Sequence, residues 1–164
     1  MKYSAVIYDL DGTLLNTLDD LAAAVNHALA EGSFPLRTLE EVRCFVGNGM
    51  ERLIRLSLPQ GASEDAFALT LKRFKDYYAL HSNDLTKPYP GIMEVLQTLK
   101  SKGVPQAVVS NKGDPFVKEL CQLYFDGLMD AAVGEQDGVR RKPAPDSLLK
   151  VMEQLHLSPA EVLY

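Results

Sequence analysis

Ala5-Val6-Ile7-Tyr8-Asp9-Leu10-Asp11-Gly12-Thr13-Leu14-Leu15 begins as a short apolar run and ends on two carboxylates, two residues apart, before a glycine. The run reads as a buried strand and Gly12 as the turn that follows it. A core strand has no packing reason to end on two acids. Open α/β sheets bind ligands in the crevice at the carboxyl ends of their strands. Two acids delivered there, with the Thr13 hydroxyl alongside, point to a nucleophile and a proton-transfer partner.

Beyond this strand the texture is helical for about seventy residues. Thr17 is expected to cap a helix to Glu31, with Leu18, Leu21, Ala22, Val25 and Leu29 on one face and Gly32 as its stop. Thr38 and Glu41 fit a capping box. Gly47-Asn48-Gly49 breaks the next stretch, and Met50 to Leu58 resumes it as far as Pro59. Ser63 then caps a long helix carrying Phe67, Leu71, Phe74 and Tyr78 on one stripe. No strand-like alternation occurs between residues 16 and 85, so this block reads as a helical module inserted into something else.

Pro88-Tyr89-Pro90-Gly91 marks the return, and helix then alternates with strand. Ile92, Val95, Leu96 and Leu99 have helical spacing, and Val104 to Val109 reads as a strand leading into Ser110-Asn111. Asp114-Pro115 looks like a cap and first turn. Ala131-Ala132-Val133 reads as a short strand ending in Gly134, and a helix follows Pro143-Ala144-Pro145. Such βα alternation implies a parallel sheet with helices on both faces. The expected fold is therefore α/β, a doubly wound parallel sheet built from residues 1–15 and 86–164, with the helical module at 16–85. Val162-Leu163-Tyr164 looks like the opening of another buried strand with nothing after it, which suggests a piece of a longer protein.

A chain of 164 residues can form one domain, or one core with a small inserted module. A net charge of -5 supplies no basic stripe, which argues against a nucleic-acid partner. No apolar run approaches the ~20 residues of a membrane span. The start, Met1-Lys2-Tyr3-Ser4, reaches Asp9 after only a few apolar residues, unlike a signal peptide. A cytoplasmic location is expected. Cys44 and Cys121 lack metal-ligand spacing and read as free thiols. His27, His81 and His156 have no partner at zinc spacing and read as surface or packing residues.

Asp9, Asp11, Thr13, Ser110, Asn111 and Lys142 all fall where a strand, or the loop after it, meets the crevice. Taken singly, Ser110-Asn111 is a polar turn and Lys142 a solvated loop lysine. Taken together, a hydroxyl, an amide and an ammonium suit a phosphate, helped by backbone N–H groups of the turn at Leu10, Gly12 and Thr13. Unit charges of like sign at ~5 Å with an effective dielectric constant of ~20 repel by about 3 kcal/mol. A dianionic phosphate facing two aspartates would meet roughly 10 kcal/mol of such repulsion in crude sum. One lysine cannot cancel that, so a divalent cation such as Mg²⁺ is expected near Asp9 and Asp11. Paired carboxylates also split their roles. Asp9, at the strand's very end, is the better nucleophile, and Asp11 on the turn the better acid and base.

These residues resemble the haloacid dehalogenase superfamily of phosphatases. Asp9-Leu10-Asp11-Gly12-Thr13 is similar to its first motif, Ser110-Asn111 to its second and Lys142-Pro143 to its third. The helical insert resembles its four-helix cap. Gly47-Asn48-Gly49 and the run Arg140 to Asp146 are similar to the phosphoglycolate phosphatase group within it. The resemblance implies that Asp9 forms an aspartyl-phosphate and Asp11 is the acid and base. It also implies that Thr13, Ser110 and Lys142 hold the phosphoryl group, and that Mg²⁺ sits on the Asp9 side chain and the Asp11 main-chain carbonyl. Gly47, Asn48, Gly49 and Arg52 are candidate substrate contacts, although a helix break and a solvated arginine explain them equally well. The superfamily's fourth motif, a Gly-Asp with a further acid, belongs directly after a strand like Val162-Leu163-Tyr164. The 164 residues alone are therefore expected to bind Mg²⁺ poorly and turn over slowly.

The implied partner is a small phosphorylated metabolite, 2-phosphoglycolate first, with pyrophosphate, a nucleotide or a sugar phosphate as alternatives and a phosphomutase as a variant reaction. A signalling receiver domain also takes a phosphoryl group on Asp, but its acceptor lies on a later strand and it lacks the long helical insert. A calcium loop starting at Asp9 fails because its sixth position would be Leu14 rather than glycine. A fragment that only binds is the remaining alternative.

Overall fold

The computed structural model describes residues 3–164; Met1 and Lys2, part of the stretch read above as unlike a signal peptide, lie outside it. In chain order, β1 (Ala5–Tyr8) and β2 (Leu15–Asn16) precede four helices, α1 (Leu18–Glu31), α2 (Leu39–Phe45), α3 (Met50–Ser57) and α4 (Glu64–His81). The chain continues through β3 (Lys87–Pro88), α5 (Ile92–Ser101), β4 (Gln106–Gly113), α6 (Asp114–Phe125), β5 (Ala131–Glu135), α7 (Asp146–Gln154) and β6 (Val162–Leu163). It divides into two compact units, one of residues 1–16 and 87–164 and the other of residues 17–86.

The first unit is built on a parallel sheet in the order β5-β4-β1-β6. Side chains alternate between the faces of a strand. Ala5, Ile7, Ala107 and Val109 therefore share one face, where they pack with Val133 and with Val151 of α7. Val108 lies on the other face with Leu96 of α5 and with Val117, Leu120, Cys121 and Phe125 of α6. Helices thus cover both faces, the doubly wound arrangement. Because β4 lies on one side of β1 and β6 on the other, the strand order reverses beside β1, and such switch points open a crevice at the strands' carboxyl ends. Asp9 leaves β1 there.

Four local details differ from expectation. β4 starts at Gln106 rather than Val104, because Pro105 has no N–H to give a ladder; its carbonyl instead accepts Val6 N at 3.0 Å. β4 also runs on through Ser110, Asn111 and Lys112, which read as a turn only because they are polar. Gly113, not Asp114, is the N-cap of α6; the Asp114 carboxylate instead accepts from Gly134 N at 2.9 Å and Gln136 Nε2 at 2.8 Å. The antiparallel pair β2–β3 is only two residues long on each side, too short to show as a period in sequence.

In the helical unit, Thr17 occupies the N-cap of α1 but makes no side-chain cap bond. The Thr38–Glu41 capping box and the Ser63 cap on Ala66 N both form. Of the α4 stripe, only Phe74 and Tyr78 are fully buried, stacked with ring centroids 5.4 Å apart. Buried Asp20 ties the end of the unit back to α1, accepting from Thr86 N at 2.8 Å, Thr86 Oγ1 at 2.7 Å and Leu85 N at 2.9 Å. Cys44 and Cys121 are free thiols, and burial pushes the Cys121 thiol up to about 12, which keeps it neutral and unreactive. No helix among the described residues is long and apolar enough to cross a membrane.

Candidate active site

The turn after β1 is wound tightly on the Leu10 carbonyl, which accepts from Thr13 N (3.3 Å), Leu14 N (3.0 Å) and Leu15 N (3.1 Å). Gly12 donates to the Leu15 carbonyl at 2.9 Å with φ +77°, a left-handed conformation that glycine adopts without a side-chain clash. Leu10 N donates to its neighbour's Asp9 Oδ1 at 2.7 Å. The N–H groups of Leu10, Gly12 and Thr13, expected to face a phosphate, are thus already committed inside the turn. Closing so short a turn consumes the donors that a more open loop would present. The Thr13 side chain is exposed.

Two separate ion pairs hold the two acids. Asp9 Oδ1 lies 2.9 Å from Lys142 Nζ. Asp11 Oδ1 lies 3.0 Å from Lys112 Nζ, and Asp11 Oδ2 accepts from Ser110 Oγ at 3.4 Å. Alternation along β4 explains the second set, since Ser110 and Lys112 share a face. Asn111, between them, takes a different role from the one expected. Its carboxamide grips the main chain of Lys142, donating from Nδ2 to the carbonyl (3.1 Å) and accepting the N–H at Oδ1 (2.9 Å). An amide used at both ends positions the lysine-bearing loop rather than a phosphate.

Lys142 Nζ also donates to the Val109 carbonyl (2.9 Å) and the Tyr164 hydroxyl (2.9 Å), so with Asp9 it has a partner for each of its three protons. The Lys142–Pro143 peptide is cis. Arg141 pairs with Glu135, and Arg140 forks onto Asp146 with two contacts of 2.9 Å, fixing the loop on either side.

Lys112 and Tyr164 were missed in sequence. A lysine after a polar dipeptide reads as solvated, yet the Lys112 side chain is only 3% exposed. Its spacing of two from Ser110 was the available signal, and it required knowing that β4 continues. Lys112 also corrects the charge sum: two ammonium groups, not one, face two carboxylates. Charge neutralisation alone therefore argues less strongly for a metal than expected.

Among the described residues no group of three or more His, Cys, Asp or Glu gathers as a metal cage. Magnesium does not demand one, because it commonly binds through one or two carboxylates with water and substrate phosphate. Asp9 fits that pattern. Its side chain is 40% exposed and both its protein contacts fall on Oδ1, leaving Oδ2 unbonded among the described residues. The Asp11 carboxylate, engaged at both oxygens, does not.

Gly134 lets β5 approach this end of β4. A Cβ there would lie 2.5 Å from Asp114 Cα and 2.6 Å from the Lys112 carbonyl oxygen, both backbone atoms. Gly134→Ala is expected to destabilise the unit by about 3 kcal/mol, the upper range for overpacking, and to lower the melting temperature by roughly 6–12 °C. A thermal melt checks this. An unchanged midpoint would mean the backbone yields freely there.

In the helical unit, Gly47 (φ +112°) and Gly49 (φ +83°) make the break before α3; Gly47 and Asn48 are exposed, as is Arg52 in the first turn of α3.

Fold and site together define a doubly wound α/β protein with an acid pair at the switch point, countered by lysines from β4 and a later loop. The sequence profile of the haloacid dehalogenase-like hydrolases matches residues 6–164, and the chain belongs to that family. It is 38% identical over 165 residues to a phosphoglycolate phosphatase from Pseudomonas putida strain KT2440, covering 97% of this chain. A phosphoglycolate phosphatase from Mannheimia succiniciproducens is 34% identical, over 99% of this chain and 76% of that protein. The chain spans 60% of the length of the Pseudomonas putida relative. Among solved structures, a Lactobacillus delbrueckii subsp. bulgaricus protein assigned provisionally as a phosphoglycolate phosphatase superposes with a TM-score of 0.93 at 34% identity. That match covers 100% of this chain and 78% of the other.

Proposed function

We propose that this chain carries the catalytic residues of a phosphatase for small phosphate monoesters, 2-phosphoglycolate first among them, acting through an aspartyl-phosphate on Asp9. One observation supports this above the others: Asp9 and Asp11, two residues apart, are held by different partners, Lys142 on one and Lys112 with Ser110 on the other. Different surroundings are what give two carboxylates different roles. Asp9 Oδ2 attacks phosphorus as the bond to the ester oxygen breaks, and that oxygen takes a proton from Asp11. Water then attacks the aspartyl-phosphate, giving its proton to Asp11 and releasing inorganic phosphate and free Asp9. Lys142, with the hydroxyls of Ser110 and Thr13, holds the phosphoryl oxygens during both steps. Mg²⁺, carried by the Asp9 side chain and the Asp11 main-chain carbonyl, supplies the positive charge that offsets a dianionic substrate. The names of the relatives support the choice of substrate, and the two free cysteines accord with a cytoplasmic setting.

The test is phosphate release from 2-phosphoglycolate, pyrophosphate, a nucleoside monophosphate and sugar phosphates, with Mg²⁺ or with a chelator. Many turnovers are expected, fastest per substrate concentration on 2-phosphoglycolate and lost with the chelator. A single stable phosphoryl group per chain would instead mean a receiver-type acceptor. Neither release nor labelling would mean a binding module.

A further inference from the structure

We infer that Lys112 is a positioning residue for the proposed reaction, holding Asp11 by Oδ1 so that Oδ2 is the oxygen left to exchange a proton with the substrate. This rests on the phosphatase reading above. A buried lysine is uncommon, because taking an ammonium out of water is costly unless it is paired. Lys112 is 7% exposed overall, and its ion pair is with Asp11. A buried pair is weak evidence for stability, since apolar residues often serve a core equally well or better.

The geometry supplies a functional reason. The terminal torsion of an aspartate is broad and nearly two-fold, so a carboxylate without an anchor exchanges its oxygens freely. Lys112 breaks that symmetry. Its ammonium is 3.0 Å from Oδ1, a normal charge-assisted contact, whereas Ser110 reaches Oδ2 only at 3.4 Å. One oxygen is fixed and the other is held loosely enough to change partners. The same residue also orients Ser110, because Lys112 N donates to Ser110 Oγ at 3.1 Å and so turns the hydroxyl proton toward Asp11. The Lys112 carbonyl packs against Gly134, where no side chain fits, which keeps this backbone in place. The two ammonium groups thus divide the work, Lys142 on Asp9 and Lys112 on Asp11.

Steady-state kinetics on 2-phosphoglycolate with Lys112→Met, Lys112→Arg, Asp11→Asn and the Asp11→Asn/Lys112→Met double variant test this. Lys112→Met is expected to lower kcat about 10²-fold, the cost of a misplaced catalytic group, with KM within about threefold. Lys112→Arg should recover about a tenth of the lost rate. On the Asp11→Asn background the methionine should change kcat less than about twofold, because its route of action is already gone. In melts, Lys112→Met should lose roughly 6–12 °C, and the double variant, with no unpaired charge, should regain most of it. If Lys112→Met does not fold, the arginine and double variants carry the test. A raised KM with full kcat would make Lys112 a substrate contact, and an equal loss with and without Asp11 would make it structural; either overturns the inference. Full activity in Lys112→Met beside an active wild type overturns this inference alone, whereas a wild type that releases no phosphate overturns the phosphatase reading as well.

Discussion

Asp9→Asn is expected to abolish phosphate release, lowering kcat by at least about 10⁴-fold, as seen when a nucleophile is removed from a catalytic unit. The asparagine has nearly the same shape. Its carbonyl oxygen can still accept from Leu10 N and from Lys142 Nζ, the two contacts that Asp9 Oδ1 makes. The site should keep its geometry while losing its reactive group, because a neutral carboxamide is a poor nucleophile at phosphorus. At 40% side-chain exposure, Asp9 contributes little buried structure, so the melting temperature should move by only a few degrees. Phosphate-release kinetics alongside a thermal melt measure both halves. A variant within tenfold of wild type would place the nucleophile elsewhere.

Lys142→Ala is expected to cost about 10³-fold in kcat/KM, at the upper end for removing one charge-stabilising group. The ammonium ties together Asp9, the Val109 carbonyl and the Tyr164 hydroxyl, and in the proposed reaction it also faces the transferring phosphoryl oxygens. Its loss leaves Asp9 without the nearest opposite charge. Lys142→Arg should recover little, since a planar fork cannot reproduce a point charge within 2.9 Å of both a carboxylate and a backbone carbonyl. The loop itself should stay in place, because Asn111 grips the Lys142 main chain rather than its side chain. Wild-type activity in the arginine variant would remove Lys142 from the chemistry.

The acid pair, the alternation of helix and strand, and the attraction of Ser110 and Lys142 to the same crevice were legible because each leaves a local mark. Apolar runs ending in acids, turn residues and cap residues are all visible within a few positions. What the sequence hid lies where polarity and burial part company. Ser110, Asn111 and Lys112 look like a solvated turn, yet β4 continues through them, and their alternation is carried by polar groups that hydropathy cannot sort. Asn111 therefore looked like a ligand when it is a clamp, and Lys112 looked like surface when it is buried. The turn at Leu10 to Leu15 shows the same limit: a glycine marks that the chain bends, but not which N–H groups the bend will consume.

Quenching the Mg²⁺-loaded protein in acid during turnover of 2-phosphoglycolate, then mapping the phosphoryl group by peptide mass spectrometry, tests the proposed reaction most directly. One hydroxylamine-labile phosphoryl group on Asp9, absent from the Asp9→Asn protein, is the expected result. Sustained phosphate release with no label on Asp9, or with the label on another residue, would contradict it.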